Sequence, residues 1–199
     1  VVINNAGDAT GGELQSETIE QWQWVFNINL LGMVRISQCF MDVFKQQKRG
    51  YFINIASQAG LTPIPLMSSY NAVKSAVIGL SETMKLELNQ YSVDVSVVCP
   101  SFFRTNLDEN MRSNDVHAGK LMGKLFEKAK LSSMDVANRI IKQTQKRTFL
   151  ILTHEEGRKA YLMKKLLPNT WYLKFMAKQT QNMLKKPSAE PRLEPGEAK

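Results

Sequence analysis

The 199-residue sequence predicts an α/β fold, a doubly wound parallel sheet flanked by helices. Two observations carry this. Short β-branched runs alternate with longer segments whose apolar residues recur at helical spacing. Those segments are also long enough to serve as crossover connections between parallel strands. No segment repeats another, and no uninterrupted apolar run approaches the roughly 18 residues that span a bilayer.

Val1-Val2-Ile3 reads as the tail of a buried strand entering a loop at Asn4-Asn5-Ala6-Gly7. Nothing stands in front of that strand, so a further N-terminal portion is expected upstream. Thr18 caps the next helix and Gln21 completes a capping box. Trp22, Val25, Phe26, Leu30, Met33, Val34 and Phe40 form its apolar stripe. Gly50 precedes a strand, Tyr51 to Ala56, and a loop with Pro63 and Pro65 leads into a helix from about Ser69 to Asn89, with Ser68 and Ser69 as candidate caps. Val93 to Cys99 is a strand stopped by Pro100. Ser133 caps a helix to about Gln145, and Thr148 to Thr153 is the last strand.

At 43% hydrophobic and 22% charged, the chain is an ordinary globule, which excludes wholesale disorder and coiled coil. Cys39 and Cys99 each lie in an apolar run, so buried thiols in a reducing, cytoplasmic setting are expected. His117 and His154 stand apart from any Cys or carboxylate cluster, and no metal site is expected. The net charge of +8 is local. Eight of the 26 Lys and Arg lie between Arg158 and Lys186, where there is no Asp or Glu, leaving 18 cations against 18 acids elsewhere.

In an open parallel sheet, ligands collect at the carboxyl ends of the strands. Asn4, Asn5, Ser57 and the turn from Pro100 to Thr105 fall there. The helix after Ser57 supplies Tyr70 and Lys74, four apart and so on one face. A free phenol, with a pKa of about 10, is too weak a base near neutrality, and lowering it by about 3 units takes roughly 4 kcal/mol. An ammonium one turn away acts in that direction, so Lys74 is expected to depress Tyr70, with Ser57 holding the reacting oxygen beside it. The same spacing recurs at Tyr161 and Lys165, with Thr148 thirteen residues upstream, but that threonine starts a strand instead of ending one. Context separates the two pairs, not the pattern. Asn29 lies on an apolar stripe, where its amide is either satisfied within the core or organises water or backbone near a site.

With these residues in place, the chain resembles the short-chain dehydrogenase/reductase family over about residues 1 to 155. Asn4-Asn5-Ala6-Gly7 matches that family's strand end, and Asn29 within Asn27-Ile28-Asn29-Leu30 its helix asparagine. Ser57, Tyr70 and Lys74 stand at its serine, tyrosine and lysine spacing, and Pro100-Ser101-Phe102-Phe103-Arg104-Thr105 resembles its Pro-Gly turn. The resemblance implies the C-terminal part of a Rossmann-like sheet over residues 1–156, with the first βαβ half missing. It implies NAD or NADP as cofactor and reversible hydride transfer to or from an alcohol/carbonyl pair. Tyr70 would donate or accept the proton, Lys74 would depress its pKa and bind the nicotinamide ribose, Ser57 would orient the substrate oxygen, and Asn29 would support a proton relay through water. Asn4, Ala6, Gly7, Pro100, Ser101 and Thr105 would join Tyr70 and Lys74 in holding the cofactor, Asn4 and Ala6 along its adenosine side and Thr105 near the carboxamide. Family members pair into homo-oligomers through the helices that here bear Asn29 and Tyr70.

Two features depart from the family pattern. Its glycine-rich dinucleotide turn lies upstream of Asn-Asn-Ala-Gly. Gly7, Gly11 and Gly12 only mimic it, because position 13 is Glu13 and the next helix begins near Thr18. This chain alone is therefore expected to bind dinucleotide weakly or not at all. Ser101 stands where glycine is usual and adds a Cβ near the nicotinamide. The alternative reading is a catalytically silent fragment that acts as a binding or membrane-docking module.

Residues 157–186 read as a basic amphipathic helical segment broken by Pro168, and residues 187–199 as a disordered tail. The segment packs over the substrate pocket or a neighbouring subunit, or it lies on an anionic membrane. Nucleic acid is not an expected partner. Met111, Leu121, Met122, Leu125 and Phe126 suggest an apolar pocket wall and hence a lipophilic small-molecule substrate.

Overall fold

The computed structural model describes residues 1–105, 107, 111–127 and 129–184. The tail expected at 187–199 lies outside the described residues. The chain runs through β1 (Val2–Asn4), β2 (Thr10–Gly11), α1 (Ile19–Phe26), α2 (Gly32–Gln46), β3 (Gly50–Ile55) and a single turn α3 (Gln58–Leu61). The long α4 (Ser68–Leu88) follows, then β4 (Val93–Val98), β5 (Arg112–Ser113), α5 (Val116–Glu127), α6 (Ser133–Gln145), β6 (Leu150–Ile151), α7 (Glu155–Leu166) and α8 (Asn169–Thr180).

The main sheet has the order β1-β3-β4-β6 and is parallel throughout. Each new strand adds at the same edge, as uniform crossovers require. Phe52, Val95, Val97 and Val98 are fully buried, because helices cover both faces. α4 packs Val73, Val77 and Leu88 onto the sheet. A small second sheet pairs β2 with β5 and ties the loop after β4 to the residues after β1. Among the described residues, no helix is long and apolar enough to cross a membrane.

Local signals place most boundaries within two residues, and the exceptions have tertiary causes. Thr18 caps α1 with the expected Gln21 box. The long helix expected after it is interrupted by a π-type turn at Asn27–Leu31, where the Gly32 N–H reaches the Asn27 carbonyl five residues back. Val25 and Met33 face the core, whereas Phe40, expected inside, is 42% exposed further along α2. Neither Ser68 nor Ser69 caps α4; its cap position is Met67. The Ser69 N–H and hydroxyl both donate instead to the buried Glu17 carboxylate at 3.0 and 3.1 Å, so a partner 52 residues away replaces the local cap. Ser132, not Ser133, caps α6, because Asp135 three residues on completes its box. The last strand shortens to β6, the part that finds β4 to pair with. Cys39, expected buried, is exposed on α2, while Cys99 is buried.

Candidate active site

The carboxyl ends of β1, β3 and β4 open onto one cavity of about 530 Å³. β3 ends at Ile55, and two residues on Ser57 caps α3, accepting from the Ala59 N–H at 3.1 Å. That turn presses on α4: a Cβ at Gly60 would stand 2.6 Å from the Lys74 backbone. The close approach brings Ser57 against Tyr70, whose hydroxyl it hydrogen-bonds. One turn along α4, Lys74 reaches back and donates to the Ile55 carbonyl at 3.1 Å. Its Nζ lies 5.6 Å from the Tyr70 ring centre.

Burial governs the electrostatics here, and this corrects the expectation that Lys74 would make Tyr70 acidic. Desolvation pushes the Tyr70 phenol up to about 12. The Ser57 hydrogen bond pulls it back in part, and the Asp8 and Cys99 groups push it further up. Desolvation also pushes the Lys74 ammonium down to about 8. The Cys99 thiol, buried beside Lys74, is raised to about 12 by the same effect.

Asn29 projects from the π-type turn. Its Nδ2 donates to the Asp8 carbonyl at 2.9 Å and to the Val25 carbonyl at 3.0 Å. Its Oδ1 is buried and has no hydrogen-bond partner among the described residues. Gly7 stands directly over that oxygen, for a Cβ there would lie 2.6 Å from Oδ1 and 3.4 Å from the Lys74 Nζ. The structure therefore brings Gly7, Asn29, Ser57, Tyr70, Lys74, Pro100, Ser101 and Thr105 to one wall system.

Asn4 and Ala6 are not brought there. The Asn4 amide turns into the protein and donates to Ser37 Oγ at 3.1 Å and Asn54 Oδ1 at 2.8 Å, while Ala6 is exposed outside the lining. Asn5, the next residue along, lines the cavity in their place. Of the five residues expected in the apolar wall, Phe126 lines it, and Met111, Leu121, Met122 and Leu125 pack behind it around Met67 and Tyr70. Sequence reasoning also missed Asp8, Gln58, Glu156 and Met176. Asp8 follows Gly7 directly, which was the available signal; the C-terminal residues had none beyond the apolar composition of their segment. Gly11 and Gly12 hold no ligand cradle. Gly11 pairs within β2, and Gly12 adopts φ +151° above Ser16.

His154, set aside in the sequence, fastens the turn that follows Pro100. Its Nδ1 accepts from the Ser101 N–H at 3.2 Å. That contact holds the backbone at the position where serine replaces the usual glycine.

Residues 1–116 match the family model described as short chain dehydrogenase. The chain belongs to that family. It is 34% identical over 116 residues to the 3-oxoacyl-[acyl-carrier-protein] reductase of Synechocystis sp., covering 58% of the chain and 47% of the relative. It is also 34% identical over 116 residues to the 3-ketodihydrosphingosine reductase of Bacteroides thetaiotaomicron, covering 58% and 43%. A short-chain dehydrogenase/reductase from Burkholderia phymatum in complex with NAD superposes with a TM-score of 0.75 at 28% identity, over 82% of this chain and 64% of that one. The chain thus spans about half the length of the curated relatives it matches.

Proposed function

We propose that this short-chain dehydrogenase acts as an NAD(P)-dependent oxidoreductase that interconverts an alcohol and a carbonyl on a lipophilic substrate, with a peripheral contact to anionic membrane through its basic C-terminal helices. The observation that carries the reading is the convergence of Ser57, Tyr70, Lys74 and Asn29 on one cavity. The residues fit the nicotinamide end of the dinucleotide, since Asn29 Oδ1, without a partner among the described residues, lies against Gly7 at a point where no Cβ could stand. Lys74, Tyr70, Gly7 and the turn from Pro100 to Thr105 would hold that end, with Asn4 and Ala6 at the strand end toward the adenosine. Bound there, the cofactor supplies or accepts the hydride.

The protein's own part is proton transfer and orientation. The Ser57 hydroxyl donates to the carbonyl oxygen and holds it beside the Tyr70 hydroxyl. With its phenol at about 12, Tyr70 is protonated at neutral pH and gives its proton to the oxygen as the carbonyl is reduced. Lys74 stays charged below about 8 and favours the phenolate that this transfer leaves. Asn29 Oδ1 accepts from the water through which the proton is replaced.

The lipophilic assignment rests on Ile64, Met67, Phe102, Phe103, Phe126 and Met176, which line the cavity. The 3-oxoacyl and 3-keto substrates in the names of the two relatives agree with a ketone. Ile36, Phe40 and Val43, exposed on one face of α2 at helical spacing, support a homo-oligomer formed through that helix. The test is consumption of NADH or NADPH with a series of ketones of increasing chain length. Turnover should rise with chain length. Dinucleotide binding with no turnover of any ketone would leave the reading of a catalytically silent binding module.

A further inference from the structure

We propose that the outward faces of α7 and α8 dock on an anionic lipid bilayer and set the roof of the cavity against it. The docking deepens the membrane contact proposed above and does not depend on catalysis; only the entry of substrate from the bilayer rests on the enzymatic reading. The two helices have opposite faces of opposite use. On α7, Gly157 and Ala160 line the cavity, and on α8 Met176 lines it while Tyr172 is buried beside it. The hairpin is fastened in that position. Gln58 Nε2 donates to the Gly157 carbonyl at 3.1 Å, and Lys164 Nζ donates to the Leu61 carbonyl at 2.5 Å.

The outer rows are apolar and cationic together. Trp171 and Phe175, four apart on α8, are 67% and 42% exposed. Lys174 and Lys178, also four apart, form the adjacent exposed row. Across the turn at Pro168, Leu162 and Leu166 make the corresponding row of α7, with Leu166 80% exposed and Lys165 beside it. An exposed row of Trp, Phe and Leu flanked by lysines is the pattern of a helix lying in a bilayer interface.

Charge selects the occupant. From Arg158 to Lys186 there are eight Lys or Arg and no Asp or Glu, while the rest of the chain is balanced. A second copy paired through the same face would set these cations against each other, and the rest of it is balanced, with no net negative charge to offer. An anionic leaflet brings both an apolar layer for Trp171 and Phe175 and a negative potential for the lysines. An apolar substrate dissolved in that layer would then reach the cavity past Met176 without crossing water.

Flotation of the complete chain with vesicles tests this, with no substrate or cofactor present, so that failure here is separate from failure of the enzymatic reading. The chain should float with phosphatidylcholine vesicles containing phosphatidylglycerol and remain at the bottom with phosphatidylcholine alone. K174Q/K178Q should lower the partition coefficient about thirtyfold, from about 1 kcal/mol for each of two cations. W171S/F175S should abolish flotation while circular dichroism and thermal unfolding match the parent, as expected for exposed positions. Equal flotation of W171S/F175S and parent overturns the proposal, as does equal binding to neutral vesicles. Absence of flotation together with a dimer that W171S/F175S dissociates overturns it too, and assigns the face to a second copy.

Discussion

Two tyrosine–lysine pairs, each four residues apart, sit in this chain, and in both the ammonium stands at nearly the same distance from the ring. Lys74 lies 5.6 Å from the Tyr70 ring centre and Lys165 lies 5.9 Å from that of Tyr161. The pairs differ in what surrounds them. Tyr70 and Lys74 are both buried, with Ser57 hydrogen-bonded to the phenol and Asn29 and Gly7 close by. Tyr161 is half-buried and Lys165 is exposed on the outside of α7. Helical geometry alone delivers the cation to the ring. Burial and a second hydroxyl make one pair a site and leave the other a surface feature.

The sharpest way to break this comparison is to remove each phenol. Tyr70→Phe should lower kcat/KM for ketone reduction by about 10²- to 10⁴-fold, the range for losing a positioned acid, whereas Tyr161→Phe should leave it unchanged. Equal losses from the two would end the distinction. A smaller effect is expected at Ser57, which provides the hydrogen bond that lowers the Tyr70 phenol. Ser57→Ala should reduce kcat/KM roughly tenfold to a hundredfold, corresponding to one hydrogen bond of about 1.5–3 kcal/mol. Thr148→Ala, upstream of Tyr161, should not affect turnover.

Stability measurements sharpen the same contrast. Asn29→Ala removes two hydrogen bonds to buried carbonyls and should destabilise the chain by about 1–3 kcal/mol in urea. Asn27→Ala, which loses only an exposed contact with Arg35, should stay within about 0.5 kcal/mol. The last effect depends on pH. Because the folded chain holds Lys74 at about 8 against an ordinary 10.5, the unfolded chain binds its proton more tightly, and stability rises with pH across that window. Lys74→Met should therefore melt higher than the parent at neutral pH, by about 2–4 °C per kcal/mol recovered, with the gap closing as pH passes 10.5.

Elements whose determinants are local were legible in the sequence. The Thr18–Gln21 box, the β-branched strands and the Pro100 stop all appear where periodicity and caps put them. What was not legible depends on partners far along the chain. Glu17 replaced the serine cap of α4, and Asn29 is buried within a π-type turn that no local signal announces. In the site, the spacing of Ser57, Tyr70 and Lys74 was readable because all three lie on one strand–turn–helix unit. The inward turn of the Asn4 amide was not legible, because nothing local reports that Asn54 and Ser37 hold it. Glu156 and Met176 went unnoticed because they reach the cavity only when α7 and α8 fold back over it.

By itself the sequence determined the order of the elements, the parallel sheet and which side chains could meet at its carboxyl edge, since each follows from the periods of helix and strand. Tertiary structure alone decided the protonation of the pair. Desolvation is produced by every group that closes over Tyr70 and Lys74, and those groups come from opposite ends of the chain.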